Sequence, residues 1–153
     1  MNKEDFLQGE IEQILKDIDF ISRYDNMSNR YNKRDESFNC QNDSVLQIAK
    51  KIGHPINYSK SKEFYLEEDL SGFKLKFGFT IRFNSFDFGL SVIHEGRDIK
   101  SSAPWGFLVQ LMTEGEKKVS KAMFKGYDDI ESILQEAFSI YDDFKKGILA
   151  NHA

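Results

Sequence analysis

A chain of 153 residues with 21 Lys and Arg against 25 Asp and Glu carries a formal charge of −4, which argues against the basic footprint that non-specific nucleic-acid binding needs. No apolar run approaches the roughly 20 residues of a membrane-spanning helix, and the start Met1-Asn2-Lys3-Glu4-Asp5 has neither the basic nor the apolar part of a secretion signal. The single cysteine, Cys40, makes no internal disulfide, so a soluble protein of a reducing cytoplasm, folded as one domain over 1–153, is expected.

The first predicted element is a helix. Asn2 can cap it, Glu4 and Asp5 suit its positive end, and apolar residues recur at Leu7, Ile11, Ile14, Leu15, Ile18 and Ile21. On that helix Asp5, Glu12 and Asp19 fall seven apart and form an acidic stripe on the outer face. The polar residues from Asn26 to Asn32 predict fraying. Residues 32–43 are polar and aperiodic, which predicts a loop or mobile arm. A short helix follows, with Asp43 or Ser44 as cap, Val45, Ile48, Ala49 and Ile52 on one face, and Gly53 and Pro55 as its stop.

A weak strand is expected near 62–67, with Glu67, Glu68 and Asp69 on a turn after it. The strong signal comes next. Phe73, Leu75, Phe77, Phe79, Ile81 and Phe83 alternate with polar or small residues, and the pattern resumes at Phe86, Phe88, Leu90 and Val92. Period two on both sides of Asn84-Ser85 predicts a hairpin over 73–94. With those two residues as the loop, Phe83 meets Phe86 and Phe79 meets Leu90, while Arg82 meets Asp87 and Lys74 meets Glu95. Alternation at Trp105, Phe107, Val109 and Leu111 predicts a third strand, and a fourth is expected near 119–124 after the turn at Glu114-Gly115-Glu116. The final helix runs from about Asp128 to Lys146, with Ile130, Ile133, Leu134, Ala137, Phe138, Tyr141 and Phe144 as its apolar stripe. An Asp128–Glu131 capping box opens it and Gly147 stops it. Consecutive strands bracketed by helices define an α+β fold: an antiparallel sheet of four or five strands packed against the N- and C-terminal helices.

Chemistry is sparse. His94-Glu95-Gly96-Arg97-Asp98 groups the most reactive side-chain types, and an enzyme would use His94 as base with Glu95 or Asp98 orienting it. The same residues also make an ordinary solvated turn, with Glu95 paired to Lys74. His54 and His152 have no ligand spacing and are expected in solvent; no metal or cofactor is expected. Cys40 has no neighbouring base that marks a nucleophile. The run KFGFTIRF from Lys76 is similar to the aromatic strand of RNA-recognition domains, but Phe77 stands where that family has glycine. Core packing is the expectation for these rings, so no nucleic-acid partner is expected. Trp105, the only tryptophan, suits either an exposed anchor or a core plug.

Size, acidity, the hairpin from Phe73 to Val92 and the closing helix from Asp128 to Phe144 give the chain a resemblance to bacterial immunity proteins of contact-dependent growth inhibition and related toxin systems. The resemblance implies a non-enzymatic protein, monomeric or weakly dimeric, that binds a cognate toxin, often a basic nuclease, and occludes its active site. Asp5, Glu12, Asp19, Glu67, Glu68, Asp69 and Trp105 are the expected partner-binding residues, acting through charge steering and one aromatic anchor. The alternative readings are a small-molecule or peptide-binding domain with a pocket between sheet and helices, and an enzyme built on His94.

Overall fold

The computed structural model of the chain describes residues 3, 7–97 and 99–152. Three helices come first: α1 (Gly9–Asp17), α2 (Phe20–Arg30) and α3 (Asn42–Lys51). Strands β1 (Asn57–Tyr58), β2 (Phe64–Leu70), β3 (Phe73–Arg82), β4 (Ser85–His94) and β5 (Ile99–Pro104) follow, then helices α4 (Trp105–Met112) and α5 (Tyr127–His152). The five strands form one antiparallel sheet in chain order. The expected α+β arrangement is therefore present.

Period two puts the phenylalanines of β3 and β4 on one face, and the helices cover that face. Phe73, Phe77, Phe79, Phe86 and Phe88 are buried, beneath Ile130, Ile133, Leu134, Phe138, Tyr141 and Phe144 of α5 and Ile11, Ile14, Leu15, Phe20 and Tyr24 of α1 and α2. Phe77 sits at the centre, stacked on Phe88 and Tyr141 at 5.9 and 5.2 Å and met edge-on by Phe138 at 5.1 Å. The opposite face of the sheet is open. There Tyr65, Gly78, Gly89 and Pro104 form one row across four strands, with Lys74, Lys76, Glu67 and Asp69 beside it.

Several elements differ from the sequence expectation, each for a physical reason. Asn2, Glu4 and Asp5 lie outside the described residues. The first helix is two helices, broken where Asp19 takes a left-handed backbone with φ 60°. Aspartate tolerates that conformation. Arg23 steadies the break by donating to the Ile18 carbonyl at 3.3 Å and to Asp143 at 2.7 Å. Beyond it α2 does not fray. Met27 is fully buried, and the Ser28 hydroxyl donates to the Ser120 carbonyl at 2.6 Å, so tertiary packing overrides poor propensity. The α3 stop is as expected: with Gly53 at φ 89°, His54 N–H reaches the Ala49 carbonyl and Gly53 N–H the Lys50 carbonyl, a Schellman ending.

The hairpin exists but its register differs. Ile81 faces Phe86, Phe79 faces Phe88 and Phe77 faces Leu90, because the loop is Phe83-Asn84, with φ 53° and 54°, and not Asn84-Ser85. Phe83 thus leaves the strand, Arg82 faces Ser85, and Lys74 faces Ile93. The slip of two residues keeps each side chain on its face, so the apolar pattern fits both registers equally. Glu67, Glu68 and Asp69 belong to β2, not to a turn; the turn is Ser71-Gly72, both left-handed.

The expected third strand is helix α4. Trp105, Leu108 and Val109 are buried at helical spacing, and Pro104 precedes the first turn. The strand in the sheet is instead β5, whose Ile99, Ser101 and Ala103 face inward. Residues 119–124 form no strand of the sheet but staple two elements together. Phe86 N–H donates to the Ala122 carbonyl at 2.9 Å, and Met123 N–H to the Tyr31 carbonyl at 2.7 Å. Helix α5 begins at Tyr127, with Asp129 accepting from Lys125 N–H at 3.0 Å, and Glu131 reaches Lys51 rather than completing a capping box. Nor does Gly147 stop it. A Cβ there would come within 2.6 Å of the Ile14 Cγ2, so this glycine lets α1 and α5 touch.

Candidate interaction surface

The expected partner-binding residues do not share one surface. Glu12 is 9% exposed and lies between Lys3 at 2.7 Å and Lys16 at 3.5 Å, so it belongs to an ion-paired seam and not to an acidic stripe. Asp19 is exposed at the α1–α2 break. Glu67 and Asp69 are exposed on the open sheet face, facing Lys76 and Lys74 across the ladder. Glu68 points to the helix side, where the Tyr141 hydroxyl donates to it at 3.0 Å and the Lys145 ammonium at 2.9 Å. Burial, reinforced by the Glu68 charge, pushes the Tyr141 hydroxyl far above its ordinary pKa. Trp105 is the core plug and not the anchor. It is 2% exposed, with Phe20 and Tyr24 edge-on at 5.2 and 5.3 Å, and its indole N–H has no acceptor among the described residues.

The histidines are also placed. His94 ends β4 and packs edge-on against Phe73 at 4.6 Å, close enough to Gly72 that a Cβ there would meet its Nε2 at 2.8 Å. Asp98 lies outside the described residues. His54 is not in solvent. It stacks on Phe138 at 4.3 Å with Nε2 3.3 Å from Asp142. Cys40 is half-buried, and that burial pushes its thiol pKa up, away from the reactive thiolate. Among the described residues no three potential metal ligands come together, and no helix is long and apolar enough to cross a membrane. Between the sheet and the helices, where the alternative reading placed a ligand pocket, the phenylalanines of β3 and β4 pack against the helices.

One feature was not legible in advance. At the β3–β4 tip Phe83 is 77% exposed although its backbone is left-handed, a region that bulky residues rarely occupy. With positive φ at both positions the loop is of type I′, which ordinarily recruits Asn or Gly. Neighbouring groups hold the strained turn. The Arg34 guanidinium donates to the Phe83 carbonyl at 3.1 Å, and the Asn84 amide donates to the carbonyls of Asp35 at 2.8 Å and Phe38 at 3.0 Å. Ser85 Oγ donates to the Arg82 carbonyl at 2.7 Å. Ser37 donates to the Asp35 carboxylate through N–H and Oγ, which holds that carboxyl below its usual pKa.

Of the loop or mobile arm expected over 32–43, residues 32–41 form a loop tied to its neighbours by these bonds. Phe38 packs edge-on against Tyr127 at 4.9 Å, and Gln41 N–H reaches the Tyr127 hydroxyl at 3.1 Å. Between this loop and β1 lies an open hollow of about 340 Å³, lined by Phe38, Tyr58, Lys62, Phe64, Ile81 and Phe83 among others. A second hollow of about 330 Å³, lined by Arg34, Glu36, Phe38 and Asn84, also borders Phe83. Tyr58 is 37% exposed and rests on Phe64 at 4.6 Å. Two large exposed apolar side chains thus border one hollow. A sequence clue to this surface was the choice of loop: Phe83-Asn84 frees a phenylalanine, whereas Asn84-Ser85 buries it. No family model matches the chain, and no curated protein or solved structure matches it either.

Proposed function

We propose that the chain is a binding protein for another protein, and that the partner is a toxin whose active site it occludes, the activity that the likeness to bacterial immunity proteins implies. The observation that carries the binding role is Phe83: 77% exposed at the tip of the hairpin and held in a left-handed backbone. Folding alone favours Asn or Gly there. A left-handed non-glycine residue costs about 1–2 kcal/mol, and the exposed ring recovers little of that by burial. Features that lower stability and survive in a structure built to support them mark sites of use. Exposed aromatic side chains beside a concave surface are the usual anchors of protein interfaces. The contact is assigned to the hairpin tip and the loop of residues 32–41, because the acidic residues first expected to serve are spread over separate surfaces or engaged in ion pairs.

Coexpression tests this reading. The product of the reading frame adjacent to this gene is expressed in a bacterial host alone, with the wild-type chain, and with the Phe83→Ala chain. The expected result is growth arrest by the neighbour alone, protection by the wild type, and loss of protection by the variant at equal expression. A harmless neighbour, or undiminished protection by Phe83→Ala, overturns it.

A further inference from the structure

We infer that the free edge of β2, a surface apart from the hairpin tip, takes an extended segment of a partner protein as a sixth strand, one in which basic residues alternate with apolar ones. The bonds of the sheet carry this inference. Strand β1 meets β2 only at Phe64 and Tyr65, which leaves residues 66–70 of β2 as an edge. Ser59 N–H donates to the Glu63 carbonyl at 2.9 Å, so β2 residues in phase with Glu63 turn their N–H and C=O groups away from β3. At Tyr65 these groups meet β1; at Glu67 and Asp69 they meet no partner among the described residues. Two donors and two acceptors are thus presented in strand geometry, the template that strand addition uses.

The side chains along the edge select its occupant. Residues 63–70 hold four acids and no cation. Glu63 takes Lys76 at 2.7 Å and Glu68 takes Lys145 at 2.9 Å. Glu67 and Asp69 stay exposed on the open face, and neither is in an ion pair among the described residues; Lys74 is the one uncommitted cation across the ladder from them. On the helix face Leu66 and Leu70 are half-buried at the rim of the core. An added strand places alternate side chains on these two faces: basic ones beside Glu67 and Asp69, apolar ones beside Leu66 and Leu70.

Two other occupants fit less well. A second copy joined edge to edge in one continuous sheet sets Glu67 and Asp69 against the same two acids, a like-charge contact. A nucleic acid would bring phosphates to an edge that carries four carboxylates. The far edge of the sheet, β5, carries Lys100 and ends in Pro104, features that discourage strand addition.

The test selects from a display library of random peptides on the immobilised full-length protein, counter-selected on the Glu67→Pro protein, and measures enriched peptides by fluorescence anisotropy. Proline suits this position because the N–H it removes points out of the sheet, so the ladder to β3 loses no bond. Enriched peptides are expected to alternate Lys or Arg with apolar residues, and Glu67→Pro should weaken them at least about tenfold. N-methylation along the peptide backbone should abolish binding at every second residue and spare those between. Glu67→Lys with Asp69→Lys should also weaken the peptides, added salt should weaken the wild-type complex, and Phe83→Ala should leave affinity unchanged. Circular dichroism confirms that each variant is folded; were Glu67→Pro unfolded, the N-methyl scan on the wild-type protein decides. No enrichment, acidic or unpatterned peptides, affinity indifferent to Glu67→Pro, an N-methyl scan without period two, or dependence on Phe83 overturns the inference. Sedimentation that shows a dimer lost in Glu67→Pro overturns it in favour of a second copy.

Discussion

Replacing Phe83 by Asn should make the protein more stable while removing its interface anchor. The left-handed backbone at φ 53° costs a residue with a bulky Cβ substituent about 1–2 kcal/mol, and Asn adopts it far more readily. Against that stands the packing the ring gives up. A fully buried phenylalanine contributes about 1.5–3 kcal/mol, and with 77% of Phe83 exposed about a quarter of that, near 0.5 kcal/mol, is lost. The balance is a gain of about 0.5–1.5 kcal/mol, or about 1–6 °C in Tm for a domain of this size. The variant keeps the Phe83 carbonyl that Arg34 binds and the Asn84 amide that ties the tip to the loop. Urea denaturation followed by circular dichroism measures the effect as a rise in midpoint at constant slope. A lower midpoint at unchanged slope would refute the reasoning, because it would mean that the ring serves the fold after all.

Three further outcomes follow from the packing. Gly147→Ala should gain about 1 kcal/mol of helix propensity but lose about 1–3 kcal/mol to overpacking against the β-branched Ile14; denaturation should show a net loss, and an Ile14→Ala background should shrink or reverse it. Phe77→Ala should cost about 3–5 kcal/mol, because the ring is buried among Phe88, Trp105, Phe138 and Tyr141; a fall in midpoint below 1 kcal/mol equivalent would contradict the core assignment. Tyr24 and Tyr141 have folded pKa values raised first by burial, with Asp87 adding to Tyr24 and Glu68 to Tyr141. The folded state therefore holds their protons more tightly than the unfolded chain, whose tyrosines ionise near 10. Their contribution is complete below about pH 10 and is lost as pH rises beyond it, each adding up to about 1.4 kcal/mol per pH unit. Tyr24→Phe and Tyr141→Phe should each flatten that alkaline loss in denaturation curves, and unchanged slopes would argue against buried, protonated hydroxyls.

What the sequence disclosed was what depends on periodicity. Long alternation from Phe73 to Val92 and the helical stripe of α5 identified the hairpin and its cover, because burial of one face governs both. Where two solutions satisfy the same periodicity, the sequence was silent or misleading. Registers two residues apart bury the same rings save Phe83, and the opposite-charge pairs Arg82–Asp87 and Lys74–Glu95 favoured the one not adopted. The run from Trp105 to Met112 is apolar on nearly every side and fits helix and strand alike. Strand β5 was missed because Ser101 occupies an inward position, where its Oγ accepts from the Gln8 N–H at 3.2 Å. Gly147 read as a terminator because a close approach of two helices leaves no local trace. The interaction surface was hidden for the same reason as the register: Phe83 is in phase with the core face and leaves it only when the loop begins one residue earlier.

The sheet is laid down in the order of synthesis, each strand joining the one made just before it, whereas its principal cover, α5, emerges after all five strands. At about 5–20 residues per second, the stretch after Pro104 takes several seconds to translate. During that time a finished ribbon of aromatic side chains has only the early helices to shelter it. Nascent chains of this protein are thus most exposed to chaperones and aggregation between the emergence of β5 and that of α5, and a stop codon within α5 would leave them so permanently.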